Sequence, residues 1–212
     1  PGDPLLAGLS ERLRGPEAKR TIPARCLARI HAAMCDYESA WQEEFSVTHD
    51  HFRILGQDNF RRYLKIPHLR IRVHEVDSAF EVISRICAAR TVGTRPVVSY
   101  SGSGDNSTVD LLHDLTHSWA GEIEFVEESD KELGDIIASG QTDRVRYASA
   151  ARVPDSVRLC AAETPTFLAT APVLMNGRLE LLHYVREQSV SIDYHRYGNL
   201  GERAAEPREH PA

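Results

Sequence analysis

Apolar residues alternate over Leu69, Ile71 and Val73, and the chain turns polar from Glu75 to Asp77. They then recur at a helical period through Ala79, Val82, Ile83, Ile86 and Ala89, before a β-branched pair at Val97 and Val98. The pattern predicts strand, helix, strand. If the strands are parallel neighbours, the helix covers one face of a sheet and similar units extend it at either edge. Ser78 and Glu81 form an S-x-x-E capping box at the start of that helix, and Ser129 to Glu132 repeats it further on.

The same periodicities divide the rest of the chain. Leu5, Leu6, Leu9 and Leu13 mark a short helix closed by Gly15-Pro16. Leu27, Ile30, Ala33, Met34, Tyr37 and Trp41 mark an amphipathic helix of about five turns. The polar stretch 46–63 reads as a capped loop that carries the chain to the sheet. After the second strand, Ser101-Gly102-Ser103-Gly104-Asp105-Asn106 leads into a helix expected to be capped by Ser107 and to run through Val109, Leu112, Leu115 and Trp119. Strands follow at 123–127, 145–148 and 167–170, with helices between them. Asn176-Gly177 is a turn signal, and 189–193 alternates as an edge strand or arm does. The expected architecture is a Rossmann-like three-layer α/β domain with N-terminal helices and a C-terminal β-arm. Its expected boundaries are a helical lead-in and linker over 1–66, the α/β domain over 67–175, the arm over 176–201 and a disordered tail over 202–212.

Composition changes this picture little. The 212 residues are 42% apolar with a formal net charge of −6, and basic residues are dispersed. Neither a nucleic-acid partner nor a membrane span is indicated. Cys26, Cys35, Cys87 and Cys160 lie far apart, mostly in helical patterns, and read as buried thiols in a reducing compartment. The chain begins at Pro1, so processing, excision or a place within a longer protein is expected.

Several candidate sites weaken under their own chemistry. Gly102 and Gly104 supply G-x-G after a strand, and Glu127 stands where an acidic residue grips a ribose. The third glycine is missing, however, and Asp105 brings negative charge to a phosphate loop. Gly102, Gly104 and Glu127 remain the alternative cofactor site. His49 and His51 offer two imidazoles without a third ligand, and His113 and His117 lack the glutamate of a zinc helix, so no metal site is assigned. Tyr194, His195, Arg196 and Tyr197 crowd side chains that anchor interfaces; they serve either a contact with another domain or subunit or the pinning of the terminal arm.

The segments EEFSVTHDHFRILGQDNFRRYL, LRIRVHEVDSAFEVISRICAAR, IEFVEESDKEL, GQTDRVRYA and ELLHYVREQSVSIDYHRYGNLGER resemble the C-terminal portion of bacterial proline-catabolic proteins. These are the proline utilization A type and related large forms of L-glutamate gamma-semialdehyde dehydrogenase. The resemblance covers about 41–201. It implies a C-terminal domain with the aldehyde dehydrogenase superfamily fold that does not itself catalyse, followed by an oligomerisation flap. Residues 145–173 resemble a worn copy of the nucleotide domain. Such a domain would help to close the cavity through which the semialdehyde intermediate passes. On this resemblance the flap contacts fall on Arg186, Ser191, Asp193, Tyr194, His195, Arg196, Tyr197 and Asn199. The partner is a catalytic dehydrogenase module in cis or in trans, with a homo-oligomer as a further possibility, in the cytoplasm. NAD, and FAD where a proline dehydrogenase barrel is present, would belong to the parent protein, with no cofactor on this segment. None of the four cysteines lies in the context of the catalytic cysteine motif, so no catalytic residue is assigned.

Overall fold

The computed structural model describes residues 2–195 and 198–206. Helix α1 (Pro4–Arg14) starts where the Asp3 carboxylate accepts the Leu5 and Leu6 N–H groups, with Pro4 at the first position, which needs no donor. α2 (Pro16–Thr21) is one short turn away. α3 (Ala24–Ala40) buries Leu27, Ile30, Ala33, Met34, Tyr37 and Ala40 at spacings of three and four, then widens into a π-turn over Trp41–Phe45.

β1 (Gln57–Lys65) corrects the reading of 46–63 as a loop. It is a full strand, although Asp58, Asn59, Arg61 and Arg62 give it no apolar alternation. β2 (Leu69–Val73), α4 (Ala79–Thr91) and β3 (Val97–Tyr100) form the expected unit, with β2 and β3 parallel and Ile71 opposite Val98. Both arms of the Ser78–Glu81 capping box are made. α5 (Ser107–Leu115) takes Ser107 as its first residue and not as its cap; Asn106 stands at the cap position without a side-chain bond, and the helix ends before Trp119, which is buried in the turn beyond. β4 (Glu124–Glu127), α6 (Asp130–Ala138, with its own capping box), β5 (Arg144–Arg146), α7 (Asp155–Ala162) and β6 (Phe167–Ala169) complete the series. The Asn176 carboxamide caps the short α8 (Gly177–Glu180), so Asn176-Gly177 opens a helical turn and not a hairpin. β7 (Val185–Asp193) then runs antiparallel to β1 over nine residue pairs, and a 3-10 turn spans Gly201–Ala205.

The five-stranded sheet is parallel throughout, in the order β4-β3-β2-β5-β6. The chain winds outward from β2 to β4, crosses back, and winds outward again from β5 to β6. Right-handed crossovers therefore put α4 and α5 on one face and α6 and α7 on the other. Two apolar clusters follow this division. Leu133, Ile137, Val145, Tyr147 and Val157 form the smaller one under α6 and α7. The larger joins α4 and α5 to α1 and α3, so the N-terminal helices share the core of the sheet. α4 is enclosed on all sides: every residue from Val82 to Ala89 is buried, and Arg29 of α3 lies over the Phe80 ring at 3.8 Å. A buried charge in such a helix must find its partners inside.

Candidate functional site

In a doubly wound sheet, ligands enter at the carboxyl ends of the strands where the winding reverses, here between β2 and β5. In this chain that point is filled from α4. The fully buried Arg85 donates from Nη1 to the carbonyls of Arg72 (2.8 Å) and Arg146 (3.2 Å), on β2 and β5. Its Nη2 pairs with Asp77, whose side chain is 1% exposed and also takes Arg152 at 2.6 Å. Arg146 and Glu180 form a second enclosed pair at 2.9 Å, both 0% exposed. Arg146 adds a bond to the Ala171 carbonyl at 2.6 Å, and the Tyr184 hydroxyl donates to Glu180 at 2.9 Å. Arg72 donates to Ser99 and to the Glu128 carbonyl at 2.9 Å each, and pairs with Asp130 at 2.8 Å. Buried guanidinium groups persist only when paired and bonded in this way. The reversal point is thus built as a polar core.

The glycine loop 101–106 lies beside it. A Cβ on Gly102 would stand 1.9 Å from the Glu127 carboxylate, and one on Gly104 would stand 2.8 Å from that of Glu75. What approaches these glycines is the protein's own carboxylates. Asp105 accepts the Ser107 N–H at 2.9 Å, and that bond holds its carboxyl below the usual range. Three negative groups therefore surround the loop. A pyrophosphate brought there would meet like charge from Glu75, Glu127 and Asp105, so the residues present do not fit a dinucleotide. Beside the loop lies a cavity of 210 Å3 whose lining includes His74, Glu75, Asn106, Asp130, Tyr147 and Arg152.

The arm is the other candidate. Arg186 is exposed opposite Leu64, Ser191 donates to Asn59 at 2.8 Å, and Asp193 accepts from Gln57 at 2.8 Å. Tyr194 bonds Gly56 through both its N–H and its hydroxyl at 2.9 Å, and His195 Nδ1 bonds the Gly56 carbonyl at 3.0 Å. Gly56 has φ +91° and would place a Cβ 2.9 Å from the His195 ring, so both conformation and space require glycine. Arg203 covers the Tyr194 ring at 3.9 Å and pairs with Asp58 at 2.9 Å. Asn199 accepts the Gly201 N–H at 2.8 Å. Tyr194 and His195 thus pin the arm's tip, while Arg196 and Tyr197 lie outside the described residues.

Near this tip the chain exposes Phe52 (67%), Ile54, Leu55 (60%) and Ile192. Sequence reasoning passed over these residues, although three apolar side chains in a polar stretch just before Gly56 are a readable sign of a sticky tip. At the arm's root, Glu44 pairs with Arg61 at 2.7 Å and takes the Tyr63 hydroxyl at 3.1 Å. Burial pushes the Glu44 carboxyl up, but these partners hold it below the usual range.

The histidines and cysteines carry no shared chemistry. His49 and His51 stack at 5.2 Å, and their Nε2 atoms meet the Glu44 carbonyl and Arg61. His117 lies beyond the end of α5 against Arg12, while His113 packs on Phe125, so they do not form one pair. Among the described residues no group of three His, Cys, Asp or Glu can hold a metal ion. Of the four cysteines expected to be buried, Cys87 is, Cys26 and Cys160 are half-buried and Cys35 is exposed; burial pushes the Cys87 thiol up to about 12 and raises that of Cys26. Among the described residues no helix is long and apolar enough to cross a membrane.

No protein-family model and no curated protein sequence matches the chain. Solved structures do. Proline Utilization A (PutA) from Corynebacterium freiburgense is 25% identical, with a TM-score of 0.53 over 87% of this chain and 15% of that one. Succinic semialdehyde dehydrogenase from Streptococcus pyogenes, solved with NADP+, is 15% identical, with a TM-score of 0.58 over 78% of this chain and 40% of that one. An aldehyde dehydrogenase from Bartonella henselae is 13% identical, with a TM-score of 0.60 over 78% and 38%. The chain spans well under half the length of each. The fold is that of a Rossmann-like domain of the aldehyde dehydrogenase superfamily type.

Proposed function

We propose that the chain acts as a non-catalytic C-terminal domain of an NAD-dependent L-glutamate gamma-semialdehyde dehydrogenase of the proline-catabolic kind, supporting the catalytic module through its arm. The observation that carries this reading is the pairing of a strand-reversal point closed by Arg85 and Asp77 with a projecting β1–β7 arm that exposes Phe52 and Leu55 at its tip. The likeness to PutA over 87% of the chain supports it as well. The chemistry of the complete enzyme is thiolate attack on the aldehyde, hydride transfer to NAD and hydrolysis of the thioester, and it belongs to residues of the catalytic module. This domain contributes position: it presents the arm, excludes water from the surface the arm covers, and helps to enclose the semialdehyde. The arm of one copy reaching a second copy is the oligomeric form of the same contact, and a cytoplasmic setting goes with the reading.

The test is a calorimetric titration of the chain with a separately purified catalytic module of a PutA-type protein. Phe52→Asp with Leu55→Asp removes two exposed apolar anchors and is expected to weaken association at least about tenfold, since interface anchors contribute upward of 1 kcal/mol each. Equal affinity of the double variant and the parent chain would remove the arm from the contact.

A further inference from the structure

We propose that the 210 Å3 cavity at the carboxyl ends of β2, β3 and β5 binds a small zwitterion, a free α-amino acid or a betaine. Glu75 and Glu127 close the neighbouring glycine loop to phosphate, yet the cavity beside it keeps uncommitted groups of both signs. Arg152 spends only Nη1, on Asp77 and Glu81, among the described residues. His74 accepts the Val76 N–H through Nδ1 at 3.3 Å, which leaves Nε2 as the donor, and the Asn106 carboxamide makes no capping bond to α5. Tyr147, 1% exposed, carries a buried hydroxyl with no hydrogen-bond partner among the described residues, a rare condition that marks either a cost or a place for a ligand. On the acceptor side, Glu75 is exposed and makes no ion pair among the described residues, and Asp130 meets only Arg72.

A simple anion here meets Glu75 and Asp130, and a simple cation meets Arg72 and Arg152. A molecule with a carboxylate and an ammonium group a few ångströms apart satisfies both sets. The volume is below the range of drug-sized ligand pockets, so the cavity matches a small ligand.

Titration of the 15N-labelled full chain with glycine, L-alanine, L-serine, glycine betaine, acetate and methylammonium tests this by backbone amide shifts. At least one zwitterion is expected to saturate with a Kd at or below about 1 mM, shifting the amides of Gly104 and Asn106. Acetate and methylammonium should bind at least tenfold more weakly. Glu75→Gln, an exposed change with no structural bond to lose, should weaken the zwitterion at least tenfold and leave acetate unaffected or tighter; Tyr147→Phe should also weaken it. Acetate binding as tightly as every zwitterion would overturn the proposal in favour of a plain anion site. Failure of all six probes to shift these amides would remove the site and leave the arm reading untouched.

Discussion

Replacing Asp77 by alanine deletes the carboxylate that neutralises Arg85 inside the sheet's reversal point. Arg85 is 0% exposed and Asp77 1%, so water cannot enter to replace the lost partner. Arg85 keeps its bonds to the carbonyls of Glu81, Arg72 and Arg146, which satisfy donors but carry no full charge. Arg152 keeps Glu81 at 2.9 Å. Breaking a buried pair from one side costs about 3–5 kcal/mol. At about 2–4 °C per kcal/mol for a domain of this size, Tm should fall by ~6–20 °C. The exposed pair Lys131–Asp135 is the internal control, and Asp135→Ala should change stability by less than about 0.5 kcal/mol. Asp77→Leu combined with Arg85→Met should recover most of the loss, because no charge is then left unpaired. Urea unfolding followed by circular dichroism measures all four proteins. A loss below about 1 kcal/mol for Asp77→Ala would mean that the pair behaves as a solvated surface contact, and the closed crevice would have to be given up.

Two further outcomes are expected. Gly177→Ala places a Cβ 2.5 Å from the Asp36 carbonyl and 2.8 Å from the Ala40 Cβ, where α8 meets α3; backbone must shift, so unfolding in urea should show a loss of about 1–3 kcal/mol. His183, near the arm's root, is held below its ordinary value of 6.5 by burial first and by Arg146 second. The unfolded chain then binds the proton more readily, so stability is full above pH 6.5 and is lost as pH falls through the interval below it. His183→Gln should flatten that part of the stability curve, and a slope unchanged by the substitution would assign the effect elsewhere.

What the sequence made legible follows from how local each signal is. The unit from β2 to β3 is written in alternation, period and a capping box, all within 32 residues, and the same grammar recurs through α6. β1 escaped because Asp58, Asn59, Arg61 and Arg62 break any apolar alternation, and its pairing with β7 joins Gln57 to Asp193 across the chain. The polar core escaped for a related reason. Arg146 and Glu180 look like ordinary surface charges until folding brings them together from 34 residues apart. Arg85 did carry a warning, since Val82, Ile83, Ile86 and Cys87 leave it no exposed face on α4. Asp105 is the one charge at the glycine loop that the sequence places there, and only the fold brings Glu75 onto Gly104. Tyr194 and His195 stand out in the sequence as a crowd of large hydrogen-bonding side chains, whereas their partner Gly56 lies 138 and 139 residues away.

Whether this Rossmann-like domain holds the dinucleotide its fold suggests is read directly by isothermal calorimetry of the purified chain with NAD. No saturable heat with NAD is expected up to millimolar concentration, because Glu75, Glu127 and Asp105 surround the loop and Arg85 closes the crevice behind it. A Kd below ~10 μM, abolished by Gly104→Arg, would contradict it.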